Sequence, residues 1–145
     1  MRYDHAAQIA GLINARNQLV RKLTAEEVTE NAENFVYELS EEDHSVVACA
    51  QIEKTDWYLW AVKYVSVAPD EEGQGLGTKI VKRAVRRAKK NRAHLVQATT
   101  RNGNNASVKV FARTGFIRTA VFNYDKTGND IEVWAHVVRK SKRFP

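Results

Sequence analysis

The chain has 145 residues, 43% hydrophobic and 28% charged, the size and mix of a single soluble globular domain over residues 1–145. Its 23 Lys+Arg against 17 Asp+Glu leave a formal charge of +6, which suits an anionic partner, and a single cysteine, Cys49, excludes an internal disulfide. No run approaches the roughly 20 apolar residues of a membrane span, and the first residues have no apolar core behind a basic start as a signal peptide would; with the lone thiol, this predicts a cytoplasmic protein without membrane contact.

In chain order, "HAAQIAGLINARNQLV" places Ala6, Ile9, Ile13 and Val20 near one face with Leu12 and Leu19 beside them, an amphipathic helix. "TAEE" pairs Thr24 with Glu27 as a capping box and opens a short helix through Ala32. "NFVYEL" and "SVVACAQIEK" are strand-like, with Cys49 reading as a small core hydrophobe. "WYLWAVKYVSVAP" is a third strand, stopped by Pro69. Its aromatics Trp57, Tyr58, Trp60 and Tyr64 read as sheet packing or as a substrate wall.

A helix follows from about Leu76 to Asn91, with Leu76, Ile80, Ala84 and Ala88 every four residues and a basic opposite face from Lys79 to Arg92. "AHLVQATT" is a strand and "NNASVKVFART" a helix closed by Gly115. "FIRTAVFNYD" and "DIEVWAHVVRK" form a hairpin around "KTGN". The strands and helices alternate only in the middle, which predicts an α/β fold with a mixed, mostly antiparallel sheet, one parallel pair, and helices on both faces.

The chemistry concentrates in "VAPDEEGQGLGTKIVKRAV", where Gly73, Gly75 and Gly77 stand directly before a strong helix. The first N–H groups of a helix have no internal partner and carry partial positive charge, so a glycine loop at that point is an anion cradle. Thr78 adds a hydroxyl in the first turn. No Gly-Lys-Ser/Thr follows at phosphate-loop spacing, and "GQGLGT" lacks the third glycine of a dinucleotide fingerprint.

"VSVAPDEEGQGLGTKIVKRAV" resembles the acetyl-CoA motif of the GCN5-related N-acetyltransferase superfamily, in which V-x-V-x-P leads into R/Q-x-x-G-x-G/A and a helix. "NNASVKVFARTGF" resembles the family's second signature, with Asn104, Ser107, Phe111, Gly115 and Phe116 at the marked positions. The resemblance covers nearly the whole chain, with the family's first strand reduced to a stub around Arg2 and Tyr3. It implies that the sheet's parallel pair splays apart to admit a thioester. The main chain of Val65 to Val67 would pair with the pantetheine arm, and Glu72, Gly73, Gln74, Gly75, Leu76, Gly77 and Thr78 would surround the pyrophosphate. Asn104 and Ser107 would hydrogen-bond the arm. The implied reaction is direct acetyl transfer from acetyl-CoA, without a metal, to a primary amine on a small molecule or protein, by a monomer or homodimer.

Three positions depart from the family pattern. Glu72 stands where Arg or Gln is usual, and a carboxylate beside a pyrophosphate is repulsive by about 1 kcal/mol or more. Phe111 replaces the tyrosine that often protonates the departing thiolate, leaving Ser107, Tyr64 or water for that step. The strand "WAVKYV" has no carboxylate, so a general base must come from elsewhere. Glu53 is the preferred candidate, with Asp56 and His136 behind it. These departures keep a second reading alive, a degenerate CoA-binding or interaction domain without catalysis. The basic helix face and "RKSKRF" raise a third, a nucleic-acid module. Their cations interleave with a core stripe as on any solvated helix face, so nucleic acid is not the expected partner.

Overall fold

The computed structural model describes residues 1–143. Phe144, the last residue of the basic "RKSKRF" segment, lies outside the described residues. The elements are α1 (Tyr3–Arg16), α2 (Ala25–Glu30), β1 (Phe35–Leu39), β2 (Val46–Asp56), β3 (Leu59–Val67), α3 (Leu76–Lys90), β4 (Leu95–Arg101), α4 (Asn105–Arg113), β5 (Ile117–Tyr124) and β6 (Asn129–Val137). The strands form one six-stranded sheet in the order β1-β2-β3-β4-β6-β5. Every neighbouring pair is antiparallel except β3 and β4. No helix is long and apolar enough to cross a membrane among the described residues.

Strand alternation divides the core into two layers. Val36, Ala48, Ala50, Ile52 and Val62 point to one face and pack with Ile80, Val81 and Ala84 of α3. Phe35, Val46 and Cys49 point to the other and pack with Ile9 and Ile13 of α1 and Val28 of α2. Each large aliphatic side chain buried this way contributes roughly 1.5–3 kcal/mol, so a single strand residue turned outward is a substantial loss. Burial pushes the Cys49 thiol up to about 12, so it stays protonated and unreactive.

Helix α3 is also fastened by charge. Arg83 Nη1 donates to the Tyr37 carbonyl and, at 2.9 Å, to Glu38. Arg87 Nη1 donates to the carbonyls of Glu33 at 2.8 Å and Phe35 at 2.9 Å. One edge of the helix is thereby tied to β1.

Three details differ from the sequence reading. Tyr3 begins α1 instead of a strand stub, and α1 ends at Arg16, leaving Val20 fully exposed. The cause is Asn17, whose backbone is extended and whose Nδ2 donates to Ile13 O and Ser66 Oγ, both at 2.9 Å. Helix α2 stops at Glu30 because Asn31 Nδ2 donates to Glu27 O at 2.9 Å, and Ala32–Asn34 continue as a single 3₁₀ turn. The expected capping box is present: Thr24 Oγ1 accepts from Glu27 N at 3.2 Å.

The parallel pair is short. Leu59, Trp60 and Ala61 pair with Leu95, Val96 and Gln97, and beyond them the strands diverge. The register of β3 against β2 jumps there, from Gln51↔Lys63 to Cys49↔Ser66, which puts an extra residue on β3. Tyr64, at φ +57, is in the bulge. A bulge bends its strand and increases the local twist, which turns β3 away from β4. Ser66 Oγ donates to Tyr64 O at 2.8 Å while accepting from Asn17, so the end of α1 holds the bulge in place.

Candidate functional site

The divergence of β3 and β4 opens a cleft of about 1160 Å³. Val65 and Val67 of β3 line one side and Thr99 and Arg101 of β4 the other. The glycine loop and the first turn of α4 close one end, and the Arg16–Leu19 segment with Tyr124 and Asn129 of the last hairpin flank the mouth.

Gly73 and Gly75 adopt φ +83 and +77, with open space around both. Their requirement is therefore conformational: a left-handed backbone, which side chains rarely adopt. Gly75 directly precedes α3, and no side chain caps that helix. The first-turn amides are left for a ligand, and the macrodipole favours an anion. Gly77 serves packing. A Cβ there would stand 3.3 Å from Val110 Cγ2, so its absence lets α4 approach α3. Glu72, Gly73, Gly75, Leu76, Gly77 and Thr78 all line the cleft, whereas exposed Gln74 does not.

Glu72 is ion-paired with Arg16 of α1, and both line the cleft. Arg16 thus brings a positive charge to the position where Glu72 introduces a negative one. Their side chains are 39% and 53% exposed, so solvent screens the pair and its worth is electrostatic matching more than stability. Sequence reasoning missed Arg16. It lies 56 residues from Glu72, and no spacing rule links a helix end to a later loop.

On α4, Asn104 is the N-cap, its Oδ1 accepting from Ser107 N at 3.3 Å. This leaves the Asn104 amide N–H₂ without a partner among the described residues, beside the Ser107 hydroxyl on the cleft wall. Phe111 borders the cleft floor but is 4% exposed, packed on Phe116 at 5.4 Å and Trp134 at 6.3 Å between ring centroids. Its ring is a wall and carries no proton.

The candidate bases lie outside the lining. Glu53 is opposite Ala61 on β2, ion-paired with Lys63. Asp56 Oδ1 accepts from Trp57 N at 2.7 Å in the β2–β3 turn. His136 packs edge-on against Phe116, and a Cβ on Gly115 would meet its ring at 3.0 Å. Its Nδ1 is buried without a partner among the described residues, and burial, Lys89 and Lys140 lower its pKa. The carboxylates that line the cleft are Glu71 and Glu72, both at the glycine loop, against Arg16, Arg101, Lys109 and Arg113.

A mixed sheet split beyond its one parallel pair, with a glycine loop and an uncapped helix N-terminus at the split, defines an α/β fold with a cleft between two of its strands. The sequence model of the acetyltransferase (GNAT) family matches residues 7–116, and the chain belongs to that family. Among solved structures it is similar to the NatC complex bound to Gag peptide and CoA (16% identity, 94% of this chain and 92% of that one, TM-score 0.80). It is similar to the yncA protein of Salmonella typhimurium with its cofactor acetyl-CoA (20% identity, 97% and 92%, TM-score 0.79). It is also similar to the ribosomal-protein-alanine N-acetyltransferase of Brucella melitensis (16% identity, 95% and 97%, TM-score 0.77). No curated protein sequence matches significantly.

Proposed function

We propose that the protein transfers the acetyl group of acetyl-CoA to a primary amine by direct attack. The observation that carries this reading is the uncapped α3 N-terminus behind the left-handed Gly73 and Gly75, set at the mouth of a split between parallel strands. Those amides would bind the pyrophosphate, the unpaired edge of Val65 to Val67 the pantetheine arm, and Asn104 with Ser107 its amides. The NatC and yncA structures, solved with CoA or acetyl-CoA, support this assignment by likeness of fold.

In the reaction a C–N bond forms as the thioester C–S bond breaks, and the thiolate leaves. A CoA thiol with a pKa near a free cysteine's, about 8.5, leaves without a strong acid, and the Ser107 hydroxyl or water would hold the proton. The attacking amine must be neutral. Among the described residues no carboxylate lines the β4 side of the cleft, so we assign its deprotonation to solvent. This favours an α-amino group, with a pKa of about 7.7–8.0, over a lysine at about 10.4. Arg101 on the cleft wall, without an ion-pair partner among the described residues, further disfavours a polycationic acceptor. Glu53 as base would require a water chain past Lys63; Glu53→Gln leaves the rate unchanged if the proton goes to solvent and lowers it if Glu53 takes it.

The experiment is thermal unfolding with and without acetyl-CoA. A ligand at about 100 times its Kd raises stability by about 2.7 kcal/mol, an easily measured rise in midpoint. No shift at millimolar acetyl-CoA would sink the proposal. A rise without any acetyl transfer would favour the non-catalytic CoA-binding reading, for which buried Phe111 in place of a proton donor is the specific observation.

A further inference from the structure

The basic surplus is concentrated away from the cleft. On α3, Lys79, Arg83 and Arg87 are bound toward β1. Lys82, Arg86, Lys89 and Lys90 have no ion-pair or hydrogen-bond partner for their side chains among the described residues. No acidic residue occurs in 76–92 or in 133–143. This free edge runs into a second pocket of about 410 Å³, lined by Tyr58, Arg92, His94, Arg139, Lys140 and Ser141. The pocket lies where β3 and β4 begin, at the opposite end of the sheet from the cleft. The charges of Lys89 on α3 and Lys140 after β6 both lower the His136 pKa, so both cations lie near that ring.

Aromatic rings stand within that surface. Tyr58 stacks on His94 at 4.4 Å and 25°, and Trp57 packs on Tyr58 at 5.0 Å while remaining 76% exposed. His94 N donates to Tyr58 O at 2.9 Å and Val138 N to His94 O at 3.0 Å, so the main chain fixes the pocket. Two of the four non-glycine residues with left-handed backbone among the described residues, Tyr58 at φ +57 and Arg92 at φ +65, are in this pocket. Glycine or asparagine would take those turns with less strain, so the side chains are kept against the backbone's preference.

Cations follow a phosphate backbone, and exposed aromatic faces stack unpaired bases. We propose that this end of the molecule is a docking surface for a single-stranded polynucleotide, with Trp57 and Tyr58 as the stacking platform and the free edge of α3 with Arg139 and Lys140 as the phosphate track. The helix face alone reads as solvated surface in the sequence; the aromatic pocket at its end is what the fold adds. A bilayer would need a broad apolar face, and Trp57 is instead paired with Tyr58.

Anisotropy of a fluorescein-labelled single-stranded RNA of mixed sequence, about twenty nucleotides long, tests this, with a duplex of the same sequence as control. Trp57→Ala should weaken single-strand binding roughly tenfold. The double variant K89Q/K140Q should flatten the slope of log K against log salt by about 1.4, at about 0.7 per phosphate contact. Both variants should keep wild-type thiol release from acetyl-CoA, since neither touches the cleft. Equal binding of the duplex, an unchanged affinity of W57A, or W57A-sensitive binding to anionic phosphatidylserine vesicles in place of RNA would each overturn the proposal.

Discussion

Glu72 puts a carboxylate at the loop to which the proposed function assigns the pyrophosphate, and Arg16 pairs with it from another element. Arg16→Ala leaves that carboxylate facing the ligand and should weaken CoA binding about fivefold, corresponding to about 1 kcal/mol at a solvent-screened site. Glu72→Gln removes the repulsion and frees Arg16 for the phosphate, so binding should tighten by a similar factor. Titration calorimetry of both variants checks the opposite signs, and equal affinities would show that the pair points away from the ligand. His136 gives a second prediction. Its folded pKa lies below the usual value, so the folded state binds fewer protons than the unfolded chain at mildly acidic pH. Stability from this group is present above about pH 6.5 and is lost as pH falls toward the folded pKa. Unfolding midpoints of wild type and His136→Gln should therefore converge as pH drops from about 7 to about 5.

At the scale of elements, the glycines divide by role. Gly75→Ala forces a side chain into a left-handed turn, at a cost of about 1–2 kcal/mol, and should lower the unfolding midpoint by about 3–6 °C. Gly77→Ala works through Val110 and should disturb CoA affinity more than stability, because it shifts the helix end that presents the amides. Most element positions were legible, since periodicity in α3 and alternation in β2 each have a single consistent reading. The end of α1 was not: Leu19 and Val20 continue its apolar spacing, and only the Asn17–Ser66 contact, across 49 residues, shows why the helix stops. The Tyr64 bulge that opens the cleft was equally hidden, because it depends on register against β2.

At the scale of the molecule, the two ends of the sheet carry different chemistry. The end where β3 and β4 diverge holds the glycine loop, and the end where they begin holds the basic and aromatic surface. The glycine loop was readable because backbone chemistry demands glycine before an anion-binding helix start, and Asn104 because its segment resembles the family's second signature. Arg16, Arg101 and the Tyr58–His94 stack were not, because the fold alone assembles them. The absence of a carboxylate on the β4 side predicts a rate that rises about tenfold per pH unit and levels near the amine's own pKa, about 8 for an α-amino acceptor. A plateau near pH 6 would reveal a protein base. The most direct test of the central claim is release of free CoA thiol from acetyl-CoA against a panel of amines. Release should be time-dependent and amine-dependent, faster with α-amino acceptors than with polyamines or lysine side chains. A protein whose unfolding midpoint rises with acetyl-CoA but which releases no thiol with any amine would contradict it.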